Sequence, residues 1–120
     1  MKGHFSHIEE ETLKNENFRK VLYTGPKMQL VVMTLQPGED IGEEVHSGHD
    51  QFFRFEEGEG EVLIGEEKFK VGDGDSAIVS DGTNHNVTNI SKDKKLKLYT
   101  IYAPPEHPDG TVHKDKPKDE

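Results

Sequence analysis

The residues of this chain able to do chemistry lie in two clusters framed by glycine. The first, from Gly38 to Gly58, reads G-EDIGE-E-V-H-SGHD-Q-FFRFEE-G and supplies Glu44, His46, His49, Asp50 and Gln51. The second, from Gly74 to Asn89, reads G-DSAIV-S-D-G-TN-H-NVT-N and supplies His85. Imidazole, carboxylate and amide oxygen together are a donor set for a divalent transition metal, with Fe, Mn, Zn and Ni all compatible. The chain has no cysteine. Thiolate ligands and disulfides are both excluded, and a metal would have to be held by imidazole, carboxylate, amide or water.

Extended segments must position these groups, because side chains two apart on a strand share a face. Glu44 and His46 then point the same way. Gln51, Phe53 and Phe55 share one face of the next strand, and His85, Val87 and Asn89 share a face of a later one. Asp50 has the opposite parity to Gln51 and faces away, whereas His49 remains a competitor for the first cluster. The plainer alternatives are a solvent-facing hairpin for Glu44 and His46, and for Gln51 a hydrogen bond to bound water or substrate instead of a metal. His4, His7, His107 and His113 lie outside both clusters and read as surface residues. His107 and His113 would close over a barrel mouth only if the tail folds back.

From Asn17 onward the chain alternates short β-like runs (FRKVLYTG, MQLVVMTL, DQFFRF, GEVLIG, EKFKV, SAIVS, HNVTNI and KLKLYTIY) with Gly, Pro and Asp turn formers. This is the pattern of an all-β sandwich or barrel. Residues 1–16 are a polar arm, irregular or holding one short helix over Ile8–Lys14 with Ser6 as a candidate N-cap. The barrel domain is expected over residues 17–113, its last part a stiff strap beginning at Ala103-Pro104-Pro105. Residues 114–120 read as a disordered, charge-rich tail.

A chain of 120 residues supports one domain with one core. Hydrophobic residues make up 30% and charged residues 32%, so that core is narrow, as in a small barrel. The net charge of −9 repels phosphate backbones and anionic lipid, which argues against nucleic acid and membrane surfaces as partners. No basic-apolar leader and no long apolar run appears, which makes the cytoplasm the default location.

The two clusters resemble the two signature motifs of the cupin superfamily. The first family motif runs Gly, five residues, His, one residue, His, three or four residues, Glu, six residues, Gly. Glu44, His46 and Gln51 fall on its three ligand positions. The second runs Gly, five residues, Pro, one residue, Gly, two residues, His, three residues, Asn, and is met by Gly74, Ser80, Gly82, His85 and Asn89. Every spacing agrees, while Glu44 stands for the first His, Gln51 for the Glu and Ser80 for the Pro. The resemblance implies a cupin (double-stranded β-helix or jelly-roll) barrel with Glu44, His46, Gln51 and His85 as metal ligands. The exchanged residues keep one negative charge but lose an imidazole, which tilts the site from Cu towards harder metals.

The same resemblance implies a small single-domain, phosphomannose-isomerase-like cupin that pairs as a homodimer, with Phe18–Thr24 adding to the partner's sheet and Phe52 in the interface. It implies a metal-dependent enzyme, of dioxygenase or isomerase/epimerase type, acting on a small polar metabolite, with Glu44 doubling as proton acceptor. The alternative is a non-catalytic module that binds a small molecule or metal. Arg19 and Arg54 are the chain's two arginines, too few to favour a phosphorylated substrate.

Overall fold

The computed structural model describes residues 2–45 and 47–118. Within them, helix α1 (Ile8–Lys14) precedes ten strands: β1 (Arg19–Thr24), β2 (Gln29–Leu35), β3 (Glu44–Val45), β4 (Asp50–Glu57), β5 (Gly60–Ile64), β6 (Glu67–Val71), β7 (Ser76–Val79), β8 (Asn84–Asn89), β9 (Leu96–Ala103) and β10 (Val112–His113). A six-stranded sheet in the order β10-β1-β2-β9-β4-β7 faces a four-stranded sheet in the order β3-β8-β5-β6. All pairings are antiparallel. The chain is an all-β jelly-roll barrel, as the alternating runs predict.

Period-two patterning builds the interior. In β4, Gln51, Phe53 and Phe55 are buried while Asp50 is exposed; in β8, His85, Val87 and Asn89 are buried. Cross-strand register sorts these inward residues into layers. Met33, Leu98 and Phe55 form one row, and Val31, Thr100 and Phe53 the next. The row after that is Gln29, Tyr102 and Gln51. On the opposing sheet Val62 pairs with Val87, while the following row sets Ile64 beside His85 and His85 beside Glu44. The barrel therefore has an apolar end, closed by side chains such as Phe55 and Leu96 with no exposure, and a polar end. Each buried Phe or Leu at the closed end contributes about 1.5–3 kcal/mol by leaving water.

Two flanking segments add to this frame. Helix α1 begins at His7, without a side-chain cap, so Ser6 does not act as the N-cap. It packs on the outer face of the larger sheet against β9, β4 and β2. Beneath it, Lys97 is buried, with its ammonium donating to Asn15 O. Strand β1 pairs within its own chain to β2 and β10. On its outer edge β10 pairs with Arg19 and Lys20, and Val21 N donates to Thr111 O. Beyond β10, Lys114 O accepts from Phe18 N and Lys116 Nζ bonds Asp40 Oδ1 at 2.6 Å, within the stretch whose composition reads as disordered.

Candidate functional site

The polar end of the barrel gathers residues from both sheets. Strand β3, too short to be read from periodicity, places Glu44 directly opposite His85 of β8. Paired residues of an antiparallel ladder share a face, so Glu44 follows His85 inward. The His85 ring is 5% exposed and lies 6.3 Å, centroid to centroid, from Phe53 on the other sheet. Its Nδ1 is 2.9 Å from Thr83 O. A carbonyl only accepts, so Nδ1 carries the proton in the neutral ring and Nε2 presents its lone pair. This is the tautomer-fixing contact that metal-binding histidines use.

Gln51 reaches the same end from β4 and is 4% exposed. Its Nε2 donates to Thr100 Oγ1 at 3.0 Å, and Thr100 Oγ1 donates in turn to Phe52 O at 2.8 Å. This chain fixes the amide orientation and turns Oε1 the other way. Oε1 is buried and accepts no hydrogen bond among the described residues. Leaving a buried acceptor unsatisfied costs about 1–3 kcal/mol, so this oxygen is suited to a cation or a donor from outside the chain.

The other sequence candidates are placed as follows. His46 lies outside the described residues. His49 is engaged elsewhere: its Nδ1 donates to Pro104 O at 2.7 Å, and its Nε2 is 3.3 Å from Glu106 Oε2. Asp50 is exposed, as parity requires, and accepts from Asp81 N at 2.9 Å. Among the described residues no three His, Asp or Glu side chains come together as a metal-binding group. The described donors of the predicted set are thus one carboxylate, one imidazole and one amide oxygen.

Three residues at this end were not among the sequence candidates for the site. Tyr102, 3% exposed, is the cross-strand neighbour of Gln51. Burial raises its phenol well above the usual range; Arg19 opposes that shift, and Glu44 and Glu106 add to it. Tyr102 therefore stays protonated and able to donate. Arg19 is 2% exposed, with Nη1 donating to His113 Nδ1 at 2.9 Å. His107 stacks edge-on against Tyr102, with centroids 5.2 Å apart. The reading of His107 and His113 as ordinary surface residues is thus corrected, because the tail does fold back over the barrel. The signal available was the aromatic Tyr102 at an inward position, followed at once by a stiff Ala-Pro-Pro turn.

Residues 31–102 match the family model described as the cupin domain. The chain is 46% identical over 115 residues to the uncharacterized protein YrkC of Bacillus subtilis (strain 168), covering 91% of this chain but only 61% of that protein. It is 41% identical to the uncharacterized protein L612 of Acanthamoeba polyphaga mimivirus, over 92% of this chain and 71% of the relative. The crystal structure of BH2720 from Bacillus halodurans superposes with a TM-score of 0.91 at 45% identity, covering 94% of this chain and 89% of that one. No helix among the described residues is long and apolar enough to cross a membrane.

Proposed function

The chain belongs to the cupin family, and on that premise we propose that it is a small metal-binding cupin, an enzyme of dioxygenase or isomerase/epimerase type acting on a small polar metabolite. One observation carries the reading. The buried Gln51 Oε1, which accepts no hydrogen bond among the described residues, sits at the barrel end where His85 turns Nδ1 to Thr83 O and Glu44 is its cross-strand neighbour. These are the donor atoms a divalent Fe, Mn, Zn or Ni ion takes. Glu44, Gln51 and His85 would hold the ion together with His46, which follows Glu44 by two positions in sequence.

When bound, such an ion supplies Lewis acidity to a substrate oxygen. The chain's own residues do the rest. The Thr83 carbonyl holds the His85 ring, Thr100 holds the Gln51 amide, and Phe53 and Phe55 exclude water beneath the site. Glu44 can take a proton from a substrate carbon or hydroxyl lying next to it. An unphosphorylated substrate is favoured, because Arg54 faces outward beside Glu56 at 3.3 Å while Arg19 is engaged with His113.

The test is elemental analysis of untagged protein after loading with Fe, Mn, Ni or Zn in turn, alongside Glu44→Ala. About one ion per chain is expected in the wild type. In the variant, affinity should fall by at least the roughly 10–100-fold that loss of a mere supporting group costs. Equal occupancy in both proteins would overturn the ligand role of Glu44. Metal uptake without turnover of any small metabolite would leave the alternative, a binding module.

We propose further that the protein acts as a homodimer through the outer face of its larger sheet. Leu30, Ile101, Phe52 and Ile78 are neighbours in one outward row across four strands, and Ile78 is 65% exposed. A second copy would cover this row, with helix α1 flanking it. Ile78→Asp is expected to halve the mass measured by analytical ultracentrifugation, because an unpaired carboxylate in an apolar contact loses its hydration. A monomeric wild type, or a variant dimer of undiminished affinity, would count against that interface.

A further inference from the structure

The outward row of the larger sheet extends one strand beyond Leu30, because Tyr23 of β1 pairs with Leu30. The N-terminal arm crosses that end of the row. His4 stacks on Tyr23, with centroids 5.3 Å apart and planes 18° from parallel, and three residues later the arm enters α1. The next side chain, Phe5, is turned to solvent. It is 82% exposed, its ring meeting His7 edge-on at 5.3 Å. Met28 is also turned outward, since it has the parity of Leu30 and is 55% exposed. The arm is thus anchored on both sides of a phenylalanine that it holds in water.

A second copy docking on this face is related to the first by a two-fold axis in the plane of contact. An axis parallel to the strands would bring the two α1 helices together, because each lies over β9, β4 and β2. Their first turns carry Glu9, Glu10 and Glu11, so that arrangement sets carboxylate against carboxylate. An axis along the row avoids this. Each helix then lies across the row from its copy, beside the partner's β1–β2 turn, where Lys27 and Met28 stand. We propose that Phe5 of each copy seats on the partner's Met28, with Glu9 and Glu10 facing the partner's Lys27, so that the N-terminal arm is the clasp of the dimer.

This rests on the homodimer reading, and both charge and area support it. A chain of net charge −9 repels its own copy, so a stable pair needs specific cation–carboxylate contacts. Among the described residues Glu11 pairs with Lys14 at 3.1 Å, whereas Glu9, Glu10 and Lys27 are exposed and carry no ion pair. Opposite charges are therefore available at the two places that this axis brings together. Phe5 offers about 150 Å² of apolar surface, roughly a fifth of the ~800 Å² per partner that a standard interface buries. Methionine suits it as a seat, because a flexible thioether adapts to a ring edge.

Dimer dissociation constants measured by analytical ultracentrifugation test the clasp. Phe5→Ser should raise the constant at least about tenfold and leave the circular dichroism spectrum unchanged, since that ring packs into no core. Lys27→Glu should weaken the dimer as well, and combining it with Glu9→Lys and Glu10→Lys should restore it. The chain has no cysteine, so Phe5→Cys and Met28→Cys proteins can be mixed and treated with a short bismaleimide. The mixture is expected to give covalent dimer faster than either variant alone. Undiminished dimer affinity in Phe5→Ser, or no preference for the mixed pair, overturns the inference. If Ile78→Asp still dissociates the dimer in that case, the homodimer reading survives without the clasp. A monomeric wild type overturns both, whereas loss of the dimer in Phe5→Ser but not in Ile78→Asp keeps the clasp and removes Ile78 from the contact.

Discussion

Replacing His85 by alanine is expected to lower bound divalent metal from about one ion per chain to none, with the barrel still folded. His85 presents Nε2 because Thr83 O takes the proton on Nδ1, and no other described imidazole shares its end of the smaller sheet. Truncation leaves a small cavity beside Phe53, which costs on the order of 1–2 kcal/mol and is within what a domain of this size tolerates. His49→Ala is the matched control. Its ring nitrogens are engaged with Pro104 O and Glu106, so that variant should keep its metal. Elemental analysis and circular dichroism on both proteins decide the matter. Full occupancy in His85→Ala, or loss in His49→Ala alone, would move the site to the other imidazole.

Gly58→Ala is expected to be the most damaging alanine substitution for stability among the motif glycines. Gly58 ends the first motif at φ +110°, where a Cβ would stand 2.6 Å from Lys95 O and 3.1 Å from Leu96 Cα. Both obstacles are backbone, so neither can rotate away. Left-handed strain and the clash together should cost at least about 3 kcal/mol, which lowers the melting temperature by roughly 10–20 °C. Gly74, which opens the second motif, has φ +86° but open space around it. Gly74→Ala should therefore show only the conformational part, about 1–2 kcal/mol. Thermal unfolding of the pair separates the two effects, and equal shifts would remove the packing argument.

This contrast explains why the motif glycines were legible in sequence while their purposes were not. Spacing marks Gly58 and Gly74 alike, but only the approach of β9 to the β4–β5 turn makes one of them a close contact. The longer strands were similarly legible, since the alternation in Asp50–Glu57 and Asn84–Asn89 announces both strand and facing. Strand β10 escaped, because two residues carry no period and form a strand only through pairing with β1, whereas β3, equally short, was read as extended only from the two-residue spacing of Glu44 and His46.

By itself the sequence determined the barrel class, the inward parity of Gln51 and His85, and the outward parity of Asp50, because these follow from a local period of two and from turn chemistry. Tertiary structure decided everything that depends on distant segments meeting. It set Glu44 against His85, diverted His49 to the strap, left Gln51 Oε1 without a hydrogen bond among the described residues, and buried Arg19 beside His113. Above all it folded a charge-rich tail back over the barrel, with His107 against Tyr102 and His113 against Arg19. Nothing local to His107 foretells that, because its place is fixed by a glutamine 78 residues away in the chain.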